Sequence, residues 1–196
     1  MEAPSKVILI GGSAGSLSVL LVVLPLLSER INAAVVLVMH RHTRSEDLLE
    51  ALLASRASLP VRDIEDKDQP QRGIIYTAPA DYHLLFEPDG SFALDSSEKV
   101  NYSRPSIDVT FESAARVFGT RAIGVLLSGA NADGAEGLYE IEQHGGITIV
   151  QHPETAEVDY MPRSALQLFP PAYTVRPGEI APLLVRLASD ISAARD

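Results

Sequence analysis

The chain has 196 residues, 46% hydrophobic and 21% charged, enough to bury a sizeable core in one domain and incompatible with disorder. Lysine and arginine number 16 against 26 aspartate and glutamate, and the formal net charge of -10 argues against binding nucleic-acid phosphates or an anionic lipid surface. Cysteine is absent, which excludes disulfides, thiolate nucleophiles and cysteine zinc sites.

An apolar strand over residues 6–10 (Val7-Ile8-Leu9-Ile10) leads into a glycine-rich turn, 11–16, and a helix over 17–28 with Ser16 as its expected N-cap. The run Leu17 to Leu27 is too short to span roughly 20 apolar residues and contains Pro25, so it reads as a buried helix of a cytoplasmic protein with no membrane insertion. A second strand, 33–39, ends at His40. Thr43-Arg44-Ser45-Glu46 has the form of a capping box for a helix over 44–56, which carries Leu48, Leu49, Leu52 and Leu53 at helical spacing. Between 60 and 100 the pattern changes to short extended pieces, including Ile74–Tyr76 and His83–Phe86, with a turn at Pro88-Asp89-Gly90. This stretch reads as a hairpin-like excursion rather than a second domain.

Ile107, Phe111, Ala114 and Phe118 form the apolar stripe of a helix beginning near Pro105. Strand 122–128 is followed by the small-residue loop Ser128 to Gly134 and a helix through Leu138 and Ile141 that Gly145-Gly146 ends. Strand 147–151 ends at His152. A short helix at 163–168, an extended piece at 172–175 and a last helix with Ile180, Leu183, Leu184, Leu187 and Ile191 inward complete the chain. This alternation predicts one domain over 1–196, an α/β fold with a doubly wound, mainly parallel sheet, helices on both faces in three Rossmann-like layers, and a small hairpin excursion.

Gly11-Gly12-Ser13-Ala14-Gly15 matches the G-x-S-x-G nucleophile elbow at a strand-to-helix turn, although the elbow alone also fits a tight glycine turn whose serine bonds only backbone. His40 and Asp133 each follow an apolar strand, and the carboxyl ends of parallel strands share one edge, where ligands bind. A neutral imidazole at His40 suits the removal of a serine proton at neutral pH, and Asp133 suits the orienting acid. The blander alternatives are a solvated histidine and an N-cap for the following helix. A second order, Ser13, Asp108 and His152, also fits a general small-ester hydrolase, and a non-catalytic binding or scaffold domain of the same fold is a third reading. Backbone N–H groups of Ala14 and of the Gly129, Ala130 and Asn131 loop are candidate oxyanion donors.

His40-Arg41-His42 has the H-x-H look of a metal site but lacks a third ligand nearby, so no metal is expected. Arg41, Arg44 and Arg104 are expected to form a positive rim near the same edge, or equally a solvated face. Ile10 occupies the first glycine position of G-x-G-x-x-G and no P-loop occurs, so no nucleotide cofactor is expected.

With these residues in view, the chain resembles the catalytic domain of the chemotaxis protein-glutamate methylesterases, the CheB family. The motifs are Ile10 to Gly15, Val38-Met39-His40, Tyr76-Thr77-Ala78-Pro79, Arg104-Pro105-Ser106-Ile107-Asp108, Gly124 to Gly129 with Asp133-Gly134, and Met161-Pro162-Arg163. The resemblance implies a Ser13, His40, Asp133 triad that hydrolyses γ-glutamyl methyl esters on chemoreceptor helices to glutamate and methanol, with deamidation of receptor glutamines as a further activity. Arg104 is a weaker substrate-binding candidate. It implies methylated chemoreceptor cytoplasmic helices as partners, and a separate receiver or signalling protein as a regulator, because a first strand at residue 6 predicts a domain that stands alone. Ala14, Arg41-His42 and Ala130 differ from the usual family residues.

Overall fold

A computed structural model describes residues 4–28, 31–40 and 46–189. Strands β1 (Lys6–Gly12), β2 (Ala33–Met39), β3 (Val61–Asp63), β4 (Ile75–Thr77), β7 (Ala122–Leu126), β8 (Ile147–Gln151) and β9 (Tyr173–Val175) form one sheet in the order β3-β4-β2-β1-β7-β8-β9. Every pairing in it is parallel. Strands β5 (His83–Phe86) and β6 (Phe92–Asp95) pair antiparallel as a separate hairpin. The helices are α1 (Ser16–Val23), α2 (Glu46–Arg56), α3 (Ile107–Phe118), α4 (Ala135–Gln143), α5 (Tyr160–Leu168) and α6 (Pro177–Ala188).

The central strands β1, β2 and β7 are buried almost throughout, which is why they read as continuous apolar runs rather than alternating patterns. Their side chains supply two cores. Leu9, Val36 and Leu126 pack with Phe111 and Ile107 of α3 and Leu138 of α4 on one face. Ile8, Leu37 and Val125 pack with Leu20 of α1 and Leu184 of α6 on the other. Burial of a side chain such as Leu9 or Ile8 contributes about 1.5–3 kcal/mol, and the strands on both sides of β1 lock its position.

Several boundaries differ from the sequence expectations. Strand β1 continues through Gly11 and Gly12, in register with Val38 and Met39, because α3 lies so close that a Cβ on Gly11 would stand 2.5 Å from Ile107 Cγ2. Ser16 is not the N-cap of α1. Gly15 takes that place at φ 81, and the Ser16 hydroxyl turns back onto the Ser13 carbonyl. The helix expected to begin near Pro105 starts at Ile107, with Ser106 as its N-cap, the hydroxyl accepting from the Val109 N–H. The excursion is narrower than expected: β3 and β4 extend the main sheet, and only β5 and β6 leave it. The expected capping box at 43–45 and Ile191 lie outside the described residues.

Candidate active site

Strand order reverses at β1, with β2 on one side and β7 on the other, so the crevice beyond its carboxyl end is the topological switch point of the sheet. Ser13 is the first residue past β1 and His40 the first past β2. The ladder continues beyond the strands: the His40 N–H donates to Gly12 O at 3.1 Å, and the Ser13 N–H donates to Ser128 O at 2.9 Å. Ser13 therefore sits between the ends of β2 and β7, with His40 beside it at the ~4.8 Å spacing of neighbouring strands.

Asp133 comes from the loop after β7. Gly134 follows it at φ 94 and is itself the N-cap of α4, so Asp133 does not cap its own helix. Any side chain at Gly134 would also meet Leu126 Cδ1 at 2.5 Å. This turn sends the Asp133 carboxylate across to the N-terminus of α3. There Oδ2 accepts from the Ile107 N–H at 2.7 Å, and Oδ1 accepts from Ser106 Oγ at 2.8 Å and the Asp108 N–H at 3.2 Å. Nε2 of His40 lies 2.6 Å from Oδ2. Asp133 is fully buried and the His40 side chain is 12% exposed. Burial acts to raise the Asp133 pKa, but the bond from His40, the Ile107 N–H, the His40 charge and Ser106 outweigh it and hold the carboxyl at about 2. An ionised carboxylate thus orients the imidazole.

The bond to Asp133 uses Nε2, leaving Nδ1 as the nitrogen available for proton transfer. Nδ1 meets Ser103 Oγ at 3.3 Å, and among the described residues no hydrogen bond joins Ser13 Oγ to His40. The structure therefore brings His40 and Asp133 into contact and sets Ser13 alongside, with Ser103 on the base nitrogen. Ser103 was not singled out from the sequence, nor was Asn101, whose amide nitrogen donates to Asp133 Oδ1 at 3.2 Å and to Asp108 Oδ2 at 2.8 Å. The one signal for them was their position just ahead of the Arg104 to Asp108 motif.

The oxyanion expectations divide. The Gly129 N–H donates to Val158 O at 3.0 Å, so Gly129 is corrected from donor to structural link. Among the described residues the N–H groups of Ala14, Ala130 and Asn131 meet no hydrogen-bond acceptor, and Asn131 Oδ1 accepts from the Asp133 N–H at 3.2 Å. Arg104 Nη1 donates to the carbonyls of Ser96 and Ser97 at 2.7 and 2.6 Å, tying the guanidinium to the segment after β6. Arg41, His42 and Arg44, and with them most of the expected rim and the H-x-H pair, lie outside the described residues.

The alternative order is not assembled. His152 sits after β8, half-exposed, with Nδ1 accepting from the Glu154 N–H at 3.3 Å. Asp108 instead accepts the N–H groups of Gly134 and Gly137 on Oδ1, both at 2.8 Å. Burial, and then the charge of Asp133 beside it, raise the Asp108 carboxyl to about 7 against the pull of those N–H groups. Among the described residues no helix is long and apolar enough to cross a membrane.

Known proteins resemble the chain in both sequence and fold. The sequence profile of the CheB methylesterase family matches residues 8–184. A Leptospira interrogans protein, provisionally named a protein-glutamate methylesterase/protein-glutamine glutaminase, is 41% identical over 93% of this chain and 94% of its own length. The Thermotoga maritima protein-glutamate methylesterase/protein-glutamine glutaminase is 33% identical over 83% of this chain, which spans 48% of it. The crystal structure of the Thermotoga maritima CheB methylesterase catalytic domain superposes with a TM-score of 0.89 at 31% identity, covering 95% of this chain and all of that one. A profile match over nearly the whole length, a relative 41% identical over 93% of the chain and a superposition at a TM-score of 0.89 lead to one conclusion: the chain belongs to the CheB methylesterase family.

Proposed function

We propose that this protein hydrolyses γ-glutamyl methyl esters on methylated chemoreceptor helices, releasing glutamate and methanol, with Ser13 as nucleophile, His40 as base and Asp133 as orienting acid. The observation that carries the reading is the 2.6 Å bond between His40 Nε2 and a buried, ionised Asp133, made beside a serine on the adjoining strand end. Names of relatives sharing 33–41% identity support the ester-hydrolysing chemistry and extend it to glutamine deamidation.

Ser13 Oγ attacks the ester carbonyl while its proton passes to His40 Nδ1, and the imidazolium that forms is stabilised by Asp133 through Nε2. The roles of the two ring nitrogens are exchanged relative to the usual serine-protease arrangement, but the chemistry is the same. Ser103 Oγ turns off Nδ1 as the Ser13 hydroxyl takes its place. The carbonyl oxygen, negative in the tetrahedral intermediate, is met by the N–H groups of Ala14 and Asn131. Collapse expels methanol, protonated by His40, and leaves the acyl group on Ser13. Water then attacks with His40 as base, and a glutamate side chain departs. With a glutamine substrate the same steps expel ammonia.

The partners in this reading are methylated receptor helices and a separate signalling protein that regulates the enzyme. Methanol release from methylated receptor fragments by the wild-type chain and by Ser13→Ala tests it. Turnover in the variant should fall by at least about three orders of magnitude. Equal turnover removes Ser13 as nucleophile.

A further inference from the structure

The short segment ahead of α3 has a conformation that side chains seldom adopt. Asn101 and Tyr102 stand at φ 50 and 60, and the Ser103 N–H closes the turn on Val100 O at 2.9 Å. Two consecutive positive φ values are what a type I′ turn requires, and asparagine tolerates the left-handed region better than most residues. Tyr102 projects into solvent, 98% exposed. The turn is therefore not explained by burial of its own side chains, and its inward contacts are those of its polar neighbours.

Asn101 faces two carboxyl groups with one nitrogen. An amide NH2 has two hydrogens, and here one is directed to Asp133 Oδ1 at 3.2 Å and the other to Asp108 Oδ2 at 2.8 Å. Asp133 Oδ2 is thereby left to His40 and the Ile107 N–H. Two buried carboxyl groups side by side repel when both are ionised, and a neutral donor between them lets their geometry survive without adding a charge that would compete with the imidazole. The other titratable groups facing this cluster from described residues are few. His83 of β5 accepts the Ser106 N–H on Nδ1 at 3.2 Å, Arg104 is tied to Ser96 and Ser97, and Glu157 packs against Gly15 on the far side of Ser13.

We propose that Asn101 is a positioning residue of the His40–Asp133 pair: its amide bridges Asp133 and Asp108, fixes which carboxylate oxygen serves the imidazole, and sets the proton affinity of His40. The inference rests on the triad reading above. Without the amide, negative charge on the Asp133 side is less well stabilised by neutral donors, the imidazolium form of His40 gains, and a higher pH is needed to free the base.

Two substitutions separate this role from turn geometry. Asn101→Asp keeps the shape and the tolerance for positive φ but replaces the donor with an acceptor. Asn101→Gly accepts the backbone conformation without strain and removes the amide. With the full chain and a methylated receptor fragment, kcat/KM at neutral pH should fall about tenfold or more in both variants. The acid limb of the kcat/KM profile should move to higher pH, further in Asn101→Asp than in Asn101→Gly. An acid limb that coincides with the wild type, or a loss by the same factor at every pH, overturns the proposal. Ser13→Ala is measured alongside: retained turnover there defeats the triad reading, whereas an unshifted limb in active Asn101 variants defeats only the role of Asn101.

Discussion

His40 Nε2 and Asp133 Oδ2 lie 2.6 Å apart although 93 residues of chain separate them, and the carboxylate is held in place by the first turn of a third element, α3. Asp133→Asn keeps the shape but replaces one acceptor with a donor. Oδ1 and Oδ2 each face several N–H or O–H groups, so either orientation of the amide sets a donor against donors. Activity should drop by roughly three to four orders of magnitude and stability by about 1–3 kcal/mol, read from kcat/KM and from denaturant unfolding. Near-wild-type turnover would dismiss Asp133 as the orienting acid.

Ser103 holds the base nitrogen in this structure, in competition with Ser13. Ser103→Ala should leave ester turnover unchanged or raise it by a factor of about 2–5, and should speed labelling of Ser13 by a serine-directed phosphonate. A loss of more than tenfold would instead put Ser103 within the proton-transfer path.

The two histidines at strand ends are expected to behave differently. His40→Ala should abolish turnover, whereas His152→Ala, which removes a side chain capping the short turn at 153–155, should keep it within about twofold. The comparison is a single assay, and the reverse pattern would restore the order Ser13, Asp108, His152.

Asp133 and Asp108 shift in opposite directions, and stability should follow both. The Asp133 carboxyl is depressed to about 2, so its contribution is in full force above its ordinary value near 3.8 and is lost as pH falls from there through 2. The Asp108 carboxyl is raised to about 7, so the folded state keeps a proton that the unfolded chain releases, and stability declines as pH rises from about 4 through 7. Together they predict a maximum near pH 4–5 on the order of a few kcal/mol above the shoulders. Asp108→Asn, a neutral stand-in for the protonated carboxyl, should flatten the decline toward neutral pH in denaturant unfolding. An unchanged slope would show that Asp108 is ionised in the fold.

What the sequence revealed and what it hid have a common physical origin. Buried parallel strands write themselves as apolar runs, so β1, β2, β7 and β8 were legible, and with them the positions of Ser13 and His40 at strand ends and of Asp133 in the loop after β7. The glycine turn misled at Ser16, because a serine followed by an apolar run looks like a cap, while only the dihedrals reveal that Gly15 has taken that place. Edge strand β3 and its neighbour β4, at three residues each, are too short to have a period. Asn101 and Ser103 were hidden for another reason: Asn-Tyr lacks the glycine that normally advertises a turn with positive φ, and their partners Asp133 and His40 lie 32 and 63 positions away along the chain, brought close only by the fold. Gly129 was misassigned because a free-looking loop amide turned out to be engaged by Val158.

The imidazole of His40 is held tightly at one corner, by Asp133, and more loosely at the other, by Ser103. Asp133, gripped by α3, is the fixed pivot of the proposed triad, about which a small swing would carry the opposite nitrogen from the Ser103 hydroxyl to that of Ser13. Rest and readiness would then differ by a rotation of one ring, with no displacement of the sheet that supports it.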